Sequence, residues 1–361
     1  MSRPTIALIF NPAARGDKAA RFRKWLGQLP ADVALLETFA PGSATGLARQ
    51  AVKDGFRTVV ASGGDGTINE VVNGLGQVPR ALGQVRLGIL PLGTMNVFAR
   101  ELGIPLATKQ AWDTVRLGQA RAVDLPLAKL QTESGEQERA FIQMIGAGLD
   151  GDAVGGVSIP LKRRIGALAY LASTVTALRA KPPRLTARWY GGSAEGEWMC
   201  VGNGTMYGGP FTLFPDAKVN DGMLDLCVLP RVNSGVIARA VTAMLLGRLD
   251  HWPGVTYHRV REVTIEGPAG TRVQADGDAH VVPAWKRSHP DGIDATDASR
   301  RRRCAEDDGV DAKKAPDAAP AHHREHLHQS RMFGAADQVA HALVLHGPVG
   351  VRQRALAHLV V

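Results

Sequence analysis

Residues 58–75 read TVVASGGDGTINEVVNGL, and the first half of the chain is best understood outward from this stretch. The apolar run Thr58-Val59-Val60-Ala61 predicts a short buried strand. It stops at Gly63-Gly64-Asp65-Gly66-Thr67, and Ile68, Val71, Val72 and Leu75 then recur at the spacing of one helix face. Glycines between a strand and a helix leave backbone N–H groups bare, and the helix N-terminus adds a favourable partial charge for phosphate. Asp65 stands out in such a loop. A carboxylate at an anion-binding site is unfavourable unless a cation accompanies it, so Asp65 is a candidate ligand for phosphate-bound Mg²⁺. A plain Gly-rich turn with Asp65 as a helix cap is the simpler alternative.

The same alternation extends on both sides. Residues 5–10 read as a buried strand ending in an Asn11-Pro12 turn. Phe22, Trp25, Leu26 and Leu29 mark a helix, and residues 33–39 a second strand. Ala44, Leu47, Ala48, Ala51 and Val52 share a helix face, residues 87–90 form a fourth strand, and a loop and helix follow Pro91. Strands alternating with helices predict a Rossmann-like parallel sheet covered on both faces. After about residue 123 the pattern changes to short strand-like segments near 140–145, 185–190, 198–202, 224–229, 255–265 and 272–275, with helical periodicity only at 165–180 and 236–246. This predicts a second, mainly antiparallel, sandwich-like β domain. Beyond residue 285 the text is rich in Arg, Asp, Ala and His without periodicity, the composition of a disordered or aberrant tail. So abrupt a change also fits a shifted reading frame. The expected divisions are 1–124, 125–285 and 286–361.

Further motifs lie in both halves. The run 63–71 continues through Val72-Asn73-Gly74-Leu75, and residues 90–100 read LPLGTMNVFAR. Residues 216–225 read DAKVNDGMLD, residues 146–150 GAGLD, residues 202–209 GNGTMYGG, and Asp276-Gly277-Asp278 follows a late strand. Together with Asn11-Pro12, these resemble the diacylglycerol kinase catalytic-domain family in its bacterial lipid-kinase branch, over residues 5 to about 285. The resemblance implies ATP and Mg²⁺ as cofactors. It implies a nucleotide site built from Asn11, Arg15, Thr38, Gly63, Gly64, Asp65, Gly66, Thr67, Asn69, Thr94 and Asn96, with Lys18 near the phosphates. It also implies a structural Mg²⁺ held by the Asp221 side chain and by the main chain of Lys218 and Met223. The family's general base is the Glu of an Asp-Gly-Glu triplet. Here Asp278 takes that place with a carboxylate one methylene shorter, and Asp65 and Asp278 are the expected catalytic residues.

The formal net charge is +9 and the pI about 9.7, a balance that attracts nucleic acid, anionic membrane surfaces or phosphorylated molecules. Basic residues form no long run before residue 300, which argues against nucleic acid as a partner. Three cysteines without a CxxC pair argue against a disulfide framework and suit a reducing cytoplasm. The start lacks signal-peptide features. The apolar stretch 165–178 falls short of the roughly 20 residues that span a bilayer. Preceded by Lys162-Arg163-Arg164, it suits peripheral membrane contact, and equally a buried helix with a solvated basic start. The expected activity is phosphorylation of a diacylglycerol-like lipid hydroxyl at a membrane surface. A kinase for a soluble acceptor such as NAD and a nucleotide-binding regulator without turnover are the alternatives.

Overall fold

The computed structural model describes residues 4–13, 17–27, 29–132, 135–148, 182–209, 211–245, 254–268, 270–281 and 349–360. The described residues belong to one compact unit, Met1–Ala284 with Val339–Val361, and residues 285–338 lie outside the described residues. The segment 165–178, Arg15 and the histidine-rich part of the tail also lie outside them.

The apolar runs of the first half become β1 (Ile6–Phe10), β2 (Val33–Glu37), β3 (Thr58–Gly63) and β4 (Arg86–Pro91), parallel and in the order β2-β1-β3-β4. β1 is buried throughout, as expected of a strand covered on both faces. The connections carry α1 (Asp17–Leu26), α2 (Ser43–Lys53), α3 (Asp65–Gly76), α4 (Val97–Glu101) and α5 (Thr108–Leu117). Ile68, Val71, Val72 and Leu75 are buried on α3, as their spacing predicts. α2 crosses α3 so closely that a Cβ on Gly74 would collide with the Thr45 carbonyl oxygen, which explains a glycine inside a helix despite its conformational cost.

The second half begins with β5 (Ala120–Thr132), β6 (Gly135–Ala140) and β7 (Met144–Gly148), followed by β8 (Leu185–Trp189), β9 (Gly192–Gly196), β10 (Trp198–Gly202), β11 (Met206–Tyr207) and β12 (Phe211–Thr212). It continues with β13 (Leu224–Leu229), α6 (Ser234–Leu245), β14 (Thr256–Val260), β15 (Glu262–Glu266), β16 (Arg272–Ala275) and β17 (Asp278–Val281). A six-stranded sheet runs β14-β13-β10-β7-β16-β17, with its neighbours antiparallel. Its inner face packs Ile145, Met199, Leu226 and Val273 against Leu130, Leu185 and Ile265 of the other sheet, which makes a sandwich core. Cys200 and Cys227 are paired in register across β10 and β13, both buried and not joined by a disulfide, and burial pushes the Cys227 thiol up to about 12.

Two features depart from expectation. The single strand-like segment at 255–265 divides after Val260: β14 joins the six-stranded sheet, whereas β15 joins the sheet of the first half. The second concerns the end of the chain. Residues 349–360 were expected in a tail without structure, yet they form β18 (Val349–Val360). β18 pairs antiparallel with β5 along most of its length and with β15 near its start, and parallel with β4 near its end. It thereby makes one ten-stranded sheet of both halves, so residue 124 is not a boundary between sheets. β5 and β18 each escape a local pattern search. Pro126 interrupts β5, and β18 alternates only weakly between apolar and polar positions.

Candidate functional site

The two glycine-bearing loops of the first half lie against each other. β3 delivers Gly63 and Gly64 to the start of α3, and β4 delivers Leu92 and Gly93 toward α4. The Leu92 amide donates to the Gly63 carbonyl at 2.8 Å. A Cβ on Gly93 would sit 2.6 Å from the Gly64 Cα, so neither loop has room for a side chain at the crossing. Asn96, fully buried and left-handed at φ 49°, folds its side chain back on Gly93. Its Oδ1 accepts from the Gly93 N–H at 2.9 Å, and its Nδ2 donates to the Gly93 carbonyl at 2.8 Å. Asn96 therefore shapes the loop, whereas Thr94 is exposed at its tip. Asp65, at the first turn of α3, accepts the Phe98 amide of α4 at 3.1 Å. Burial pushes its carboxyl up, while the amides of Phe98 and Val97 pull it down.

Asn11, at the end of β1, donates through Nδ2 to Thr67 Oγ1 at 3.1 Å, and its backbone N–H donates to the Ser62 carbonyl at 3.0 Å. The Thr38 amide donates to the Phe10 carbonyl at 2.9 Å. Asn11, Thr38, residues 63–67, Thr94 and Asn96 thus gather at the carboxyl ends of the parallel strands, the usual place for a ligand in an open α/β sheet. Asn69 is placed differently. It is buried, and its Nδ2 reaches the Ala140 carbonyl at 3.1 Å and Asp276 Oδ2 at 2.7 Å, while its Oδ1 accepts from Arg139 at 2.8 Å. Its amide is committed to joining α3 to the second half. Glu70 likewise serves the scaffold, accepting the Gly42 and Ala44 amides at the N-terminus of α2.

The Asp-Gly pair before Asp278 makes a two-residue hairpin with both residues left-handed, Asp276 at φ 47° and Gly277 at φ 87°. Asp276 does more than turn the chain. Its carboxylate accepts the amides of Ile142 at 2.7 Å, Gln143 at 2.9 Å and Met144 at 3.1 Å, besides Asn69. Burial pushes this carboxyl up and those donors pull it down. The hairpin that positions Asp278 at the start of β17 is therefore tied to α3, the helix that begins at Asp65. The local sequence signals only a turn; the four donors come from distant segments.

In the loop before β13, Asp221 accepts the Met223 amide at 3.0 Å and pairs with Arg259, which also approaches Asp225 at 3.7 Å. The Gly222 amide donates to Asp124 at 2.7 Å. Burial pushes the carboxyls of Asp124 and Asp225 up, and the nearby Asp221 charge raises both further. Carboxylate oxygens close together beside one arginine are the kind of group a hard cation takes as ligands. No group of three ligand-type side chains already converges to hold a metal among the described residues. Asp124 and Asp276 were not singled out from sequence as site residues.

Residues 5–128 match the model of the diacylglycerol kinase catalytic domain, and residues 143–295 match that of the YegS C-terminal NAD kinase beta sandwich-like domain. The chain is 34% identical over 245 residues to the diacylglycerol kinase of Bacillus subtilis (strain 168), covering 67% of this chain and 77% of the relative. It is also 34% identical over 257 residues to the "Probable lipid kinase YegS-like" of Pseudomonas aeruginosa (strain UCBPP-PA14), covering 68% and 78%. A crystal structure assigned as a diacylglycerol kinase of Bacillus anthracis str. Sterne matches with a TM-score of 0.63 at 25% identity, over 78% of this chain and 90% of the other. Two domain models in series and relatives matched over more than two thirds of their length lead to one assignment: the chain belongs to the diacylglycerol kinase family of bacterial lipid kinases.

Proposed function

We propose that this chain transfers the γ-phosphoryl group of ATP to the hydroxyl of a diacylglycerol-like lipid at a membrane surface. The observation that carries the reading is the crossing of the Gly63–Gly64 and Leu92–Gly93 backbones, with Asp65 between the starts of α3 and α4. Bare amides there suit phosphate oxygens. Asn11, Thr38, Thr67 and Thr94 are the polar groups around them, and Asn96 keeps the second loop in shape. Asp65 is the residue to meet a Mg²⁺ carried by the nucleotide. Such an ion would neutralise charge developing on the phosphates. Asp221, with main-chain oxygens of Lys218 and Met223, is the corresponding candidate for a structural Mg²⁺.

In the transfer, the lipid hydroxyl gives its proton to the Asp278 carboxylate as its oxygen bonds to the γ-phosphorus. The bond from that phosphorus to the β–γ bridging oxygen breaks, and ADP leaves with the electron pair. No helix among the described residues is long and apolar enough to cross a membrane. The test is transfer from γ-labelled ATP across diacylglycerol, phosphatidylglycerol and sphingoid bases in mixed micelles, with NAD as the soluble acceptor. Labelled lipid, dependent on Mg²⁺, is the expected result. Labelled NAD alone, or ATP binding without transfer, would replace the reading.

A further inference from the structure

α4 is little more than one turn long, and it is gripped at both ends. At its start the Phe98 amide is held by Asp65. At its end Glu101 reaches into the second half, where its carboxylate accepts the Met206 amide at 2.9 Å, Gln143 Nε2 at 3.0 Å and the Thr205 hydroxyl at 3.1 Å. The contact is tight: a Cβ on Gly204 would sit 2.6 Å from the Glu101 carboxyl carbon. Thr205 in turn accepts the Leu213 amide at 2.9 Å, so the segment 203–213 is organised around this one carboxylate. A second contact joins the same partners, because a Cβ on Gly209 would lie 2.5 Å from the terminal methyl of Met95, at the tip of the Thr94–Asn96 loop.

Gln143 continues the path. Its Nε2 also donates to the Met206 carbonyl at 2.9 Å, and its backbone amide donates to Asp276 at 2.9 Å, in the hairpin that positions Asp278. Its Oε1 is buried without a donor. Met206, Tyr207 and Phe211 are half-buried, an apolar surface suited to an acyl chain. We infer that Glu101 is a positioning residue that couples occupancy of the nucleotide loop, through α4, to the placement of segment 203–213 as the wall of the lipid site. The inference rests on the lipid-kinase reading for the identity of the acceptor, but the coupling itself is measurable without it.

The Met206 amide and Gln143 Nε2 both bond Oε2, and the Thr205 hydroxyl reaches both oxygens. A glutamine could keep these contacts only as weaker neutral bonds, with its N–H₂ toward the Thr205 hydroxyl, because hydrogen bonds to an ionised carboxylate are roughly twice as strong. The experiment is hydrogen exchange of segment 203–213 in the full chain, with and without Mg²⁺ and a non-hydrolysable ATP analogue, for wild type, Glu101→Gln and Thr205→Val. Steady-state kinetics with ATP and lipid varied separately accompany it. In wild type the nucleotide changes exchange in the segment. In Glu101→Gln that response is lost while nucleotide affinity measured without lipid stays within about twofold, and lipid KM at saturating nucleotide rises about tenfold, within the range usual for coupled sites. Thr205→Val, which removes one donor and leaves the carboxylate, gives a partial loss. A wild-type segment that ignores nucleotide overturns the inference. So does a Glu101→Gln variant that keeps the response, or one that loses nucleotide and lipid affinity alike. Absence of lipid transfer by wild type would overturn the lipid reading instead, and the exchange response would still decide the coupling.

Discussion

Asp65 and Asp276 are two aspartates at tight turns after strands, each with its carboxyl pushed up by burial. Their surroundings differ. Asp276 takes three backbone amides and the Asn69 side chain, one or more donors for each oxygen, and they come from two segments that it locks together. At Asp65 the Phe98 amide at the start of α4 is the donor at 3.1 Å, with the amides of Val97, Asn96 and Asp65 itself close by, next to the glycine crossing and the exposed Gly66. A carboxylate saturated by amides is spent on architecture; one with capacity left at the mouth of a phosphate-type loop is available to a cation. The same contrast separates Asn69 and Asn96, whose side chains are consumed by the scaffold, from Thr94 at the open tip.

The contrast is broken most easily at its active end. Asp65→Asn should remove transfer by on the order of 10⁴-fold, as loss of a metal-positioning charge does in phosphoryl transfer, with the melting temperature little changed. Retention of more than about a tenth of wild-type activity would mean that Asp65 is only a cap. Asp278→Asn should lower kcat by roughly 10²–10⁴, the range for general-base catalysis, with nucleotide affinity unchanged. Asp278→Glu should keep or raise activity, since Glu restores the longer reach. Equal kcat in wild type and Asp278→Asn at saturating ATP and lipid would take Asp278 out of the mechanism.

The remaining predictions concern stability. Removing residues 349–361 should unfold the chain or cost more than the about 4–5 kcal/mol that marks exceptional changes, because β18 supplies the ladder partners of β5, β15 and β4. Calorimetry finding an unchanged transition would dislodge β18 from the sheet. Asp276→Asn tolerates the left-handed turn but turns an N–H₂ toward amide donors. A loss of about 2 kcal/mol follows, and because the residue is structural, nucleotide affinity should hold. A large kcat effect without a stability change would instead bring Asp276 into the chemistry. Smallest is Arg259→Gln. The pair with Asp221 is partly exposed, so less than about 1 kcal/mol is expected. The informative readout is a steeper rise of melting temperature with Mg²⁺, once the competing guanidinium is gone. An unchanged slope would reduce residues 218–223 to a turn.

What local sequence determined is the part whose physics is local. Apolar runs, helical spacing and a Gly-Gly-Asp-Gly turn depend on residues within a few positions of one another, so β1 to β4, α3 and the glycine-rich loop between β3 and α3 were legible before any fold was known. The Asp276-Gly277 pair is in itself only a turn signal. Tertiary structure alone decided what those residues touch. Asp276 meets Asn69 across 207 positions, Glu101 meets Met206 across 105, and Asn11 meets Thr67 across 56. Whether a carboxylate is saturated or available is set by donors brought from such distances, and no periodicity encodes them. β18 is the same lesson at the scale of a strand. A weakly alternating segment has no strong preference by itself, and it becomes a strand because β5, β15 and β4 leave backbone groups that a buried sheet must pair.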